Sequence, residues 1–377
     1  YSKKIKNKEE AETAKVSDRS LGQALGIFAP GAQTVHEGQL HTAGGFAHYG
    51  FNGKNAYPID PMGEAVIIGR CTECGVVTHS NSQVEEGTDV VVACPICESP
   101  LDRITMYQPF GFRTDYNARD FEDTGERGPG SGTPELAVYQ DFGLRKVVGA
   151  VTATNLSQAE IVQMNDNRGS FFELKKLSDK SVVATNDELY PKGFPNQWDN
   201  GVPFRTNERL AIGEVRPTDV LVLGLDQLKL EGGAVCTNQN TQPAGLSALW
   251  SFAELLRKGC DTFLDIPSNE LSVGLQPELT AAGFRTSKVF IADTHENGAG
   301  YASALGEPAN LKAVFDDICK SIGPDLESSW HGNCDSACPD CLRSWDNRFL
   351  HGFLDWRLGL DLADLAQGHK LDTSRWR

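Results

Sequence analysis

No apolar run in the 377 residues approaches the eighteen or so that a membrane-crossing helix requires. A signal peptide is also missing, since the opening "YSKKIKNKEEAETAK" is charged throughout. Neither G-x-x-x-x-G-K-[ST] nor a D-E-x-H box occurs, so the chain lacks the phosphate loop that this route of ATP hydrolysis needs. No H-E-x-x-H marks a catalytic metal centre. Basic residues are short: Lys and Arg number 35 against 51 Asp and Glu, a net charge of −16. That balance excludes a surface that grips nucleic acid all round by counterion release, but leaves room for one local basic groove. Internal repeats and long low-complexity tracts are absent. The chain opens on Tyr1 rather than Met, which leads us to expect a fragment of a longer protein.

What is present is the composition of an ordinary globular protein, long enough for two or three domains with their own cores. Ten cysteines without a secretion signal point to metal rather than disulfides, and to a cytoplasmic location. Residues 1–16 read as a solvated tail, the end of a helix or a linker from a missing motor, and 17–122 as a β-rich domain. Within it, Ser17 or Asp18 caps a short helix that Pro30-Gly31 stops near Phe28. Strand-like alternation at 33–36 and 39–43 is joined by a Glu37-Gly38 turn. Gly and Pro crowd "DTGERGPGSGTPE", residues 123–135, as in a flexible linker.

Residues 136–235 are rich in β-formers and open a mixed α/β module spanning 136–377. Leu246, Leu249, Trp250, Ala253 and Leu256 recur at helical spacing within 245–260. "KVFIAD" reads as a buried strand, "NLKAVFDDICKSI" as an amphipathic helix and "FLDWRLGLDLADLA" as a final helix. The fold class expected is α+β: a β-rich N-terminal part with a zinc ribbon, then an α/β module closed by a second cysteine cluster.

The ribbon rests on Cys71, Cys74, Cys94 and Cys97, two C-x-x-C steps nineteen residues apart within 64–105. A C-x-x-C turn aims both thiolates at one ion, and two such knuckles complete a tetrahedron of four. Four unrelated buried thiols or a redox pair would not need this doubling, so structural zinc is the reading. The second cluster, Cys334, Cys338 and Cys341, supplies three ligands where zinc needs four. His351, just before the final helix, is the preferred fourth, with His331 and Cys319 as alternatives. Cys236 and Cys260 are more distant in sequence. One zinc ion is expected at the ribbon, and a second if this cluster finds its fourth ligand. With no carboxylate and base pattern nearby, its role reads as structural.

Other features divide between function and packing. In "DTHENGAGYAS", Gly298 and Gly300 either let backbone N–H groups approach a phosphate or serve a tight strand-to-helix turn, and the turn is preferred. Asp265 and Glu270 faintly suggest a metal-dependent nuclease core, but the lysine such a core needs is absent. Arg343, Arg348 and Arg357, interleaved with Trp345, Phe349 and Trp356, form a candidate nucleic-acid patch. The competing reading packs those aromatics against the core. Arg70, His79 and Arg103 beside the ribbon have a weaker claim, and Arg145, Lys146, Lys175 and Lys176 mark the middle sheet.

The motif "CDSACPDCLRSWDNRFLHGFLDWRLGLDL" resembles the C-terminal zinc-binding module of MrfA-type superfamily 2 DNA helicases, a module also found in antiphage helicases of the DISARM and Druantia systems. "IADTHENGAGYA" is similar to the strand, Gly-rich turn and helix of that module, and "LDIPSNELSVGLQPE" to its preceding strands. "LGQALGIFAPGAQTVHEGQLHTAGG" resembles the segment that follows the motor. In such proteins a fourth cysteine usually stands six residues after the C-x-x-C, where this chain has Asn347. The resemblance implies the non-motor C-terminal region of an ATP-dependent DNA helicase or translocase in antiphage defence. ATP would be bound only by the missing motor. The partners implied are single-stranded or forked DNA and subunits of a defence complex, with no membrane. Two other classes stand beside it: a zinc-stabilised protein–protein docking module, and a metal-dependent nuclease.

Overall fold

A computed structural model describes residues 6–14, 19–80, 92–115, 119–120, 135–138, 145–190, 201–205, 208–225, 228, 235, 237, 244–279 and 283–376. Ser17, Asp18, Cys236 and residues 123–134 of the expected linker lie outside this set. In chain order the strands are β1 (Gln33–His36), β2 (Gln39–Phe46), β3 (His48–Asn52), β4 (Asn55–Ile59), β5 (Ala65–Cys71), β6 (Val77–Ser80), β7 (Leu101–Tyr107), β8 (Phe112–Thr114) and β9 (Arg119–Asp120). They continue with β10 (Glu135–Val138), β11 (Arg145–Val148), β12 (Val151–Asn165), β13 (Leu174–Lys176), β14 (Val182–Ala184), β15 (Val202–Pro203), β16 (Leu210–Gly224), β17 (Leu271–Leu279) and β18 (Arg285–Asp293). The helices are α1 (Lys8–Ala14), α2 (Leu21–Ile27), α3 (Gly245–Leu264), α4 (Tyr301–Leu305), α5 (Pro308–Asp317), α6 (Gly323–Glu327) and α7 (Trp356–Ala366).

Two fifteen-residue strands organise the molecule. β12 and β16 pair antiparallel from Thr152↔Gly224 to Asn165↔Ile212, with a bulge between Leu156 and Ala159 where Gln158 takes φ 56°. Two residues of β12, Ser157 and Gln158, there oppose the single Asp219 of β16, which lets the pair bend and continue. The other edge of β16 is shared. At its start, Leu210–Ile212 runs parallel to Thr105–Tyr107 of β7, which carries β5 and β6. At its end, Val220–Leu223 pairs with β18, which carries β17. A single nine-stranded sheet therefore joins strands from either side of residues 123–135. A seven-stranded sheet, in which β2 meets β14 and β14 meets β13, joins them again.

The cores follow from this layout. One side of the β12–β16 spine near its far end packs Leu221 and Leu223 against Phe252, Leu256, Phe315 and Leu360 of the helices. Near the ribbon, Ile68, Ile104, Met106, Val162 and Met164 form a second apolar group. The seven-stranded sheet buries Phe46, Phe172 and Val182 beneath Leu25 of α2. Helix α3 buries Leu249, Phe252, Ala253, Leu256 and Cys260 along one stripe, as its spacing predicts. Trp250, counted in the expected stripe, is half-buried. Helix α7 crosses α3 closely: a Cβ on Gly359 would lie 2.9 Å from the Ser251 carbonyl oxygen, so glycine sets the approach. The β1–β2 hairpin forms as expected, with Glu37 and Gly38 both at positive φ. No helix among the described residues is long and apolar enough to cross a membrane.

Candidate metal centres

The first centre grows from the β5–β6 hairpin and the approach to β7. Cys71 ends β5, Cys74 follows in the turn, and Cys94 and Cys97 flank the next turn. The Sγ atoms of Cys71 and Cys97 lie 3.4 Å apart, and those of Cys74 and Cys94 3.5 Å apart. Both knuckles are built alike. Gly75 N and Glu98 N each donate to the carbonyl of the first cysteine, at 2.9 Å, and both residues take positive φ. Backbone amides of Cys74 and Ile96 point at the sulfurs of Cys71 and Cys94, each at 3.4 Å, which favours thiolate. Ser99 hydrogen bonds pull the Cys97 thiol down to about 6, while burial pushes Cys74 up. Four sulfurs at these separations fit a tetrahedral zinc, whose bond lengths put ligands about 3.3–3.8 Å apart.

The second centre gathers His331, Cys334, Cys338 and Cys341, with all four ligand atoms within 4.8 Å of one another. His331 lies in a short 3-10 turn after α6 and is 3% exposed. Its Nδ1 is 2.9 Å from the Leu326 carbonyl oxygen, so Nδ1 carries the proton and donates, and Nε2 faces Cys338 Sγ at 3.4 Å. Cys334 and Cys341 sulfurs stand 4.0 Å apart, and Cys338 N donates to Cys341 Sγ at 3.0 Å. Trp356, the first residue of α7, meets the His331 imidazole in a T-shaped contact with ring centroids 5.4 Å apart. Its Nε1 donates to the Cys334 carbonyl at 3.2 Å. Burial pushes the Cys334 thiol up to about 12, a proton-holding tendency that a bound cation reverses. Three sulfurs and one correctly turned imidazole fit structural zinc.

This arrangement corrects the preference for His351 as fourth ligand. The Nε2 of His351 donates instead to the Ser344 carbonyl at 3.0 Å and to Asn347 Oδ1 at 3.1 Å. Asn347 is 4% exposed; it accepts from Ser344 N and donates to the Leu342 carbonyl. Asn347 and His351 thus brace the loop beyond the cysteines, away from the ligand atoms. The signal available in the sequence was the H-x-x-C step from His331 to Cys334, which has the same spacing as a C-x-x-C knuckle. Cys319, the other alternative, meets Asp364 and His369 instead. Cys260 is wholly buried in α3.

The nucleic-acid candidates separate by their surroundings. Arg357 is held in place: Nε and Nη2 bond the Asp355 carboxylate, Nη2 also meets the Asp335 carbonyl, and the guanidinium stacks 4.8 Å from the Trp376 ring centre. Trp356 is core, as the packing reading had it. Trp345 is not: it is 73% exposed, with the Arg348 guanidinium 4.9 Å from its ring centre. The backbone N–H of Arg343 donates to Cys338 O, and its Nε is a buried donor without a partner among the described residues. The side chain of Phe349 lies outside the described set. Near the ribbon, Arg70 is paired with Asp166 and His79 with Glu160. Lys146 and Lys176 are paired with Glu307 and Asp60.

A crevice of 1170 Å³ opens between α2, the middle of α3, β17 and residues 344–353. Trp345 and Arg348 line it. Two further arginines on its wall are neutralised locally, Arg216 by Glu214 at 3.2 Å and Arg257 by Glu254 at 2.8 Å.

The glycine-rich turn is closed to phosphate. Asp293, fully buried at the end of β18, accepts N–H bonds from Ala299 and Gly300 at Oδ2 (2.6 and 2.7 Å), from Tyr301 at Oδ2 (3.1 Å) and from Ala302 at Oδ1 (2.8 Å). The donors that an anion would need are spent on this carboxylate, and the glycines serve the turn. The two nuclease candidates have separate local roles. Asp265 caps α3 in the left-handed conformation, and Glu270 sits 3.0 Å from His295.

The fold and both centres define a zinc-binding α+β module in which cysteine clusters fasten turns onto a mixed sheet. Residues 252–342 match the family described as the MrfA Zn-binding domain, a span that contains His331, Cys334, Cys338 and Cys341. The MrfA-type resemblance is thereby borne out. The chain is also 25% identical over 393 aligned residues to "Druantia protein DruE" of Escherichia coli (strain UMEA 4076-1), covering 97% of this chain and 20% of that protein. It thus spans about a fifth of the length of the curated relative it matches. Crystal structures of the DUF1998 helicase MrfA bound to DNA, and bound to DNA and AMPPNP, overlap 84% of this chain at 13% and 12% identity. They are covered to 37% and 35% of their own length, with TM-scores of 0.36 and 0.24, too slight a likeness to bear on the fold.

Proposed function

We propose that this chain is the non-motor, zinc-stabilised region of a helicase-related protein of antiphage defence, bracing a motor and guiding a DNA strand. The observation that carries the reading is the MrfA Zn-binding match over 252–342, which encloses the second metal centre. The relationship to DruE along 97% of the chain supports the defence setting. ATP hydrolysis belongs, in this reading, to a motor elsewhere, because the 377 residues hold no phosphate loop. Zinc at two centres, one on the ribbon and one on His331, Cys334, Cys338 and Cys341, holds the module rigid. The strand would run along the crevice, where Trp345 offers a stacking face and Arg348 a cation beside it.

Fluorescence anisotropy with single-stranded and forked DNA at several salt concentrations tests this. Each phosphate contact to a single strand contributes roughly 0.7 to the slope of log affinity against log salt. Arg343→Ala with Arg348→Ala should flatten the slope accordingly, and Trp345→Ala should weaken binding about 5- to 100-fold, the loss of one stacked base. No binding by the chain, or binding indifferent to all three changes, removes the strand-guide role.

A docking module is the second reading, favoured by the net charge of −16 and by the internally neutralised arginines of the crevice. Capture of a defence partner or motor, without DNA binding and with loss on Trp345→Ala, supports it.

A further inference from the structure

Away from both centres, a third group of ligating side chains meets at the end of α7: Cys319, Asp364 and His369, whose donor atoms all lie within 4.8 Å of one another. Each is placed by a separate backbone device. Cys319 lies in a π-helical turn, Ile318–Ile322, that joins α5 to α6. Such a turn shifts side chains from the register a plain α-helix would give, and it concentrates at functional positions. Asp364 lies in the last turn of α7. His369 is fixed by the helix C-cap: Gly368, at φ +80°, donates its N–H to Leu365 O, and His369 donates its N–H to Asp364 O, both at 2.9 Å.

The Asp364 carboxylate divides its two oxygens. Oδ2 accepts from Arg375 Nη2 at 3.0 Å, while Oδ1 faces His369 Nδ1 at 3.7 Å. Arg375 is itself held by Glu327 and Asp361, at 2.7 and 2.6 Å. It therefore orients the carboxylate from outside, the position that partners of metal-bound carboxylates take.

We propose that Cys319, Asp364 and His369 form a third, exchangeable zinc site, with thiolate, carboxylate and imidazole as ligands and water in the fourth position. The donor mix suits zinc rather than calcium or magnesium, which take oxygen alone. The 3.7 Å between His369 and Asp364 falls within the 3.4 to 4.0 Å found among ligand atoms of the two cysteine centres. It also matches the roughly 3.3–3.8 Å edge of a zinc tetrahedron. His369 is 58% exposed, so an ion here meets solvent and exchanges, unlike the ion of a closed four-ligand centre. Binding ties the π-turn to the end of α7 and to Arg375, and so fastens the C-terminal edge of the module. Nothing in the DNA-guiding role is required for it.

The test compares metal content in the full chain and in His369→Ala and Cys319→Ser, equilibrated against buffered free zinc and measured by mass spectrometry. Cobalt substitution reads the thiolate–metal absorption independently. The wild type should hold one more ion than either variant at high free zinc. That difference should vanish as free zinc is lowered, while the ions of the cysteine clusters stay. His369 is exposed, so its removal leaves the fold intact, and a thermal melt verifies this. Equal metal content in wild type and His369→Ala at every zinc level overturns the proposal. Loss of an ion in Cys319→Ser alone also overturns it, because the ligand set would then be wrong.

Discussion

Replacing His331 by Ala tests the second centre most directly. The change removes one ligand of four, and with it the edge contact to Trp356 and the bond to the Leu326 carbonyl. A structural zinc contributes about 10–16 kcal/mol. An equal share per ligand is about 3–4 kcal/mol, so zinc affinity should fall roughly 10²- to 10³-fold. Competition with a chromophoric chelator reads this directly, one centre at a time when the ribbon is silenced by Cys94→Ser. His331→Cys keeps a ligand and should recover most of the loss. His351→Ala is the control. It forfeits two hydrogen bonds in the 344–351 loop, about 1–3 kcal/mol of stability, but leaves the metal in place. If His351→Ala releases zinc as readily as His331→Ala, the ligand assignment and the argument from the Nδ1 bond are both wrong.

Asn347→Cys places a thiol where the MrfA-type resemblance implies a ligand. Since Asn347 bonds Ser344 and Leu342 rather than facing the sulfurs, the variant should lose about 1–3 kcal/mol in denaturant unfolding with unchanged zinc affinity. Asp293→Ala leaves four backbone N–H groups without their acceptor and should lower stability by several kcal/mol, seen as a large drop in Tm. Burial, with Glu254 adding to it and Arg257 opposing, raises Asp261 to about 7. The folded chain then keeps a proton that the unfolded chain loses near pH 4, so this group lowers stability as pH climbs from about 4 to about 7. Asp261→Asn should therefore stabilise the protein at pH 8 and change little at pH 4. A constant gain across that range would refute the assignment.

Much of the site was legible because its information is local. A C-x-x-C step writes its own turn, so Cys71, Cys74, Cys94 and Cys97 could be assembled from spacing alone. The β1–β2 hairpin, α3, β18 and α7 were legible for the same reason, since turn residues and apolar periodicity act within a few positions. The fourth ligand of the second centre was not. Choosing between His331 and His351 depends on what holds the other nitrogen of each ring. Those partners, Leu326 O on one side and Ser344 O with Asn347 on the other, are set by how turns pack. The role of Arg357 was hidden likewise, because its neutralisation by Asp355 and its stacking on Trp376 occur only once α7 and the C-terminal segment meet.

By itself, then, the sequence determined the class of fold, the two cysteine centres and the absence of a phosphate loop, all encoded in composition or short spacing. Tertiary structure decided the rest. It made β12 and β16 a common spine, through register between strands far apart in the chain. It spent the glycine-rich turn on Asp293 and left Trp345 open to solvent beside the crevice. It also brought Cys319 to Asp364 and His369, across some fifty residues. Spacing cannot carry such outcomes, because a side chain's chemistry is settled by whichever distant group reaches its polar atoms first.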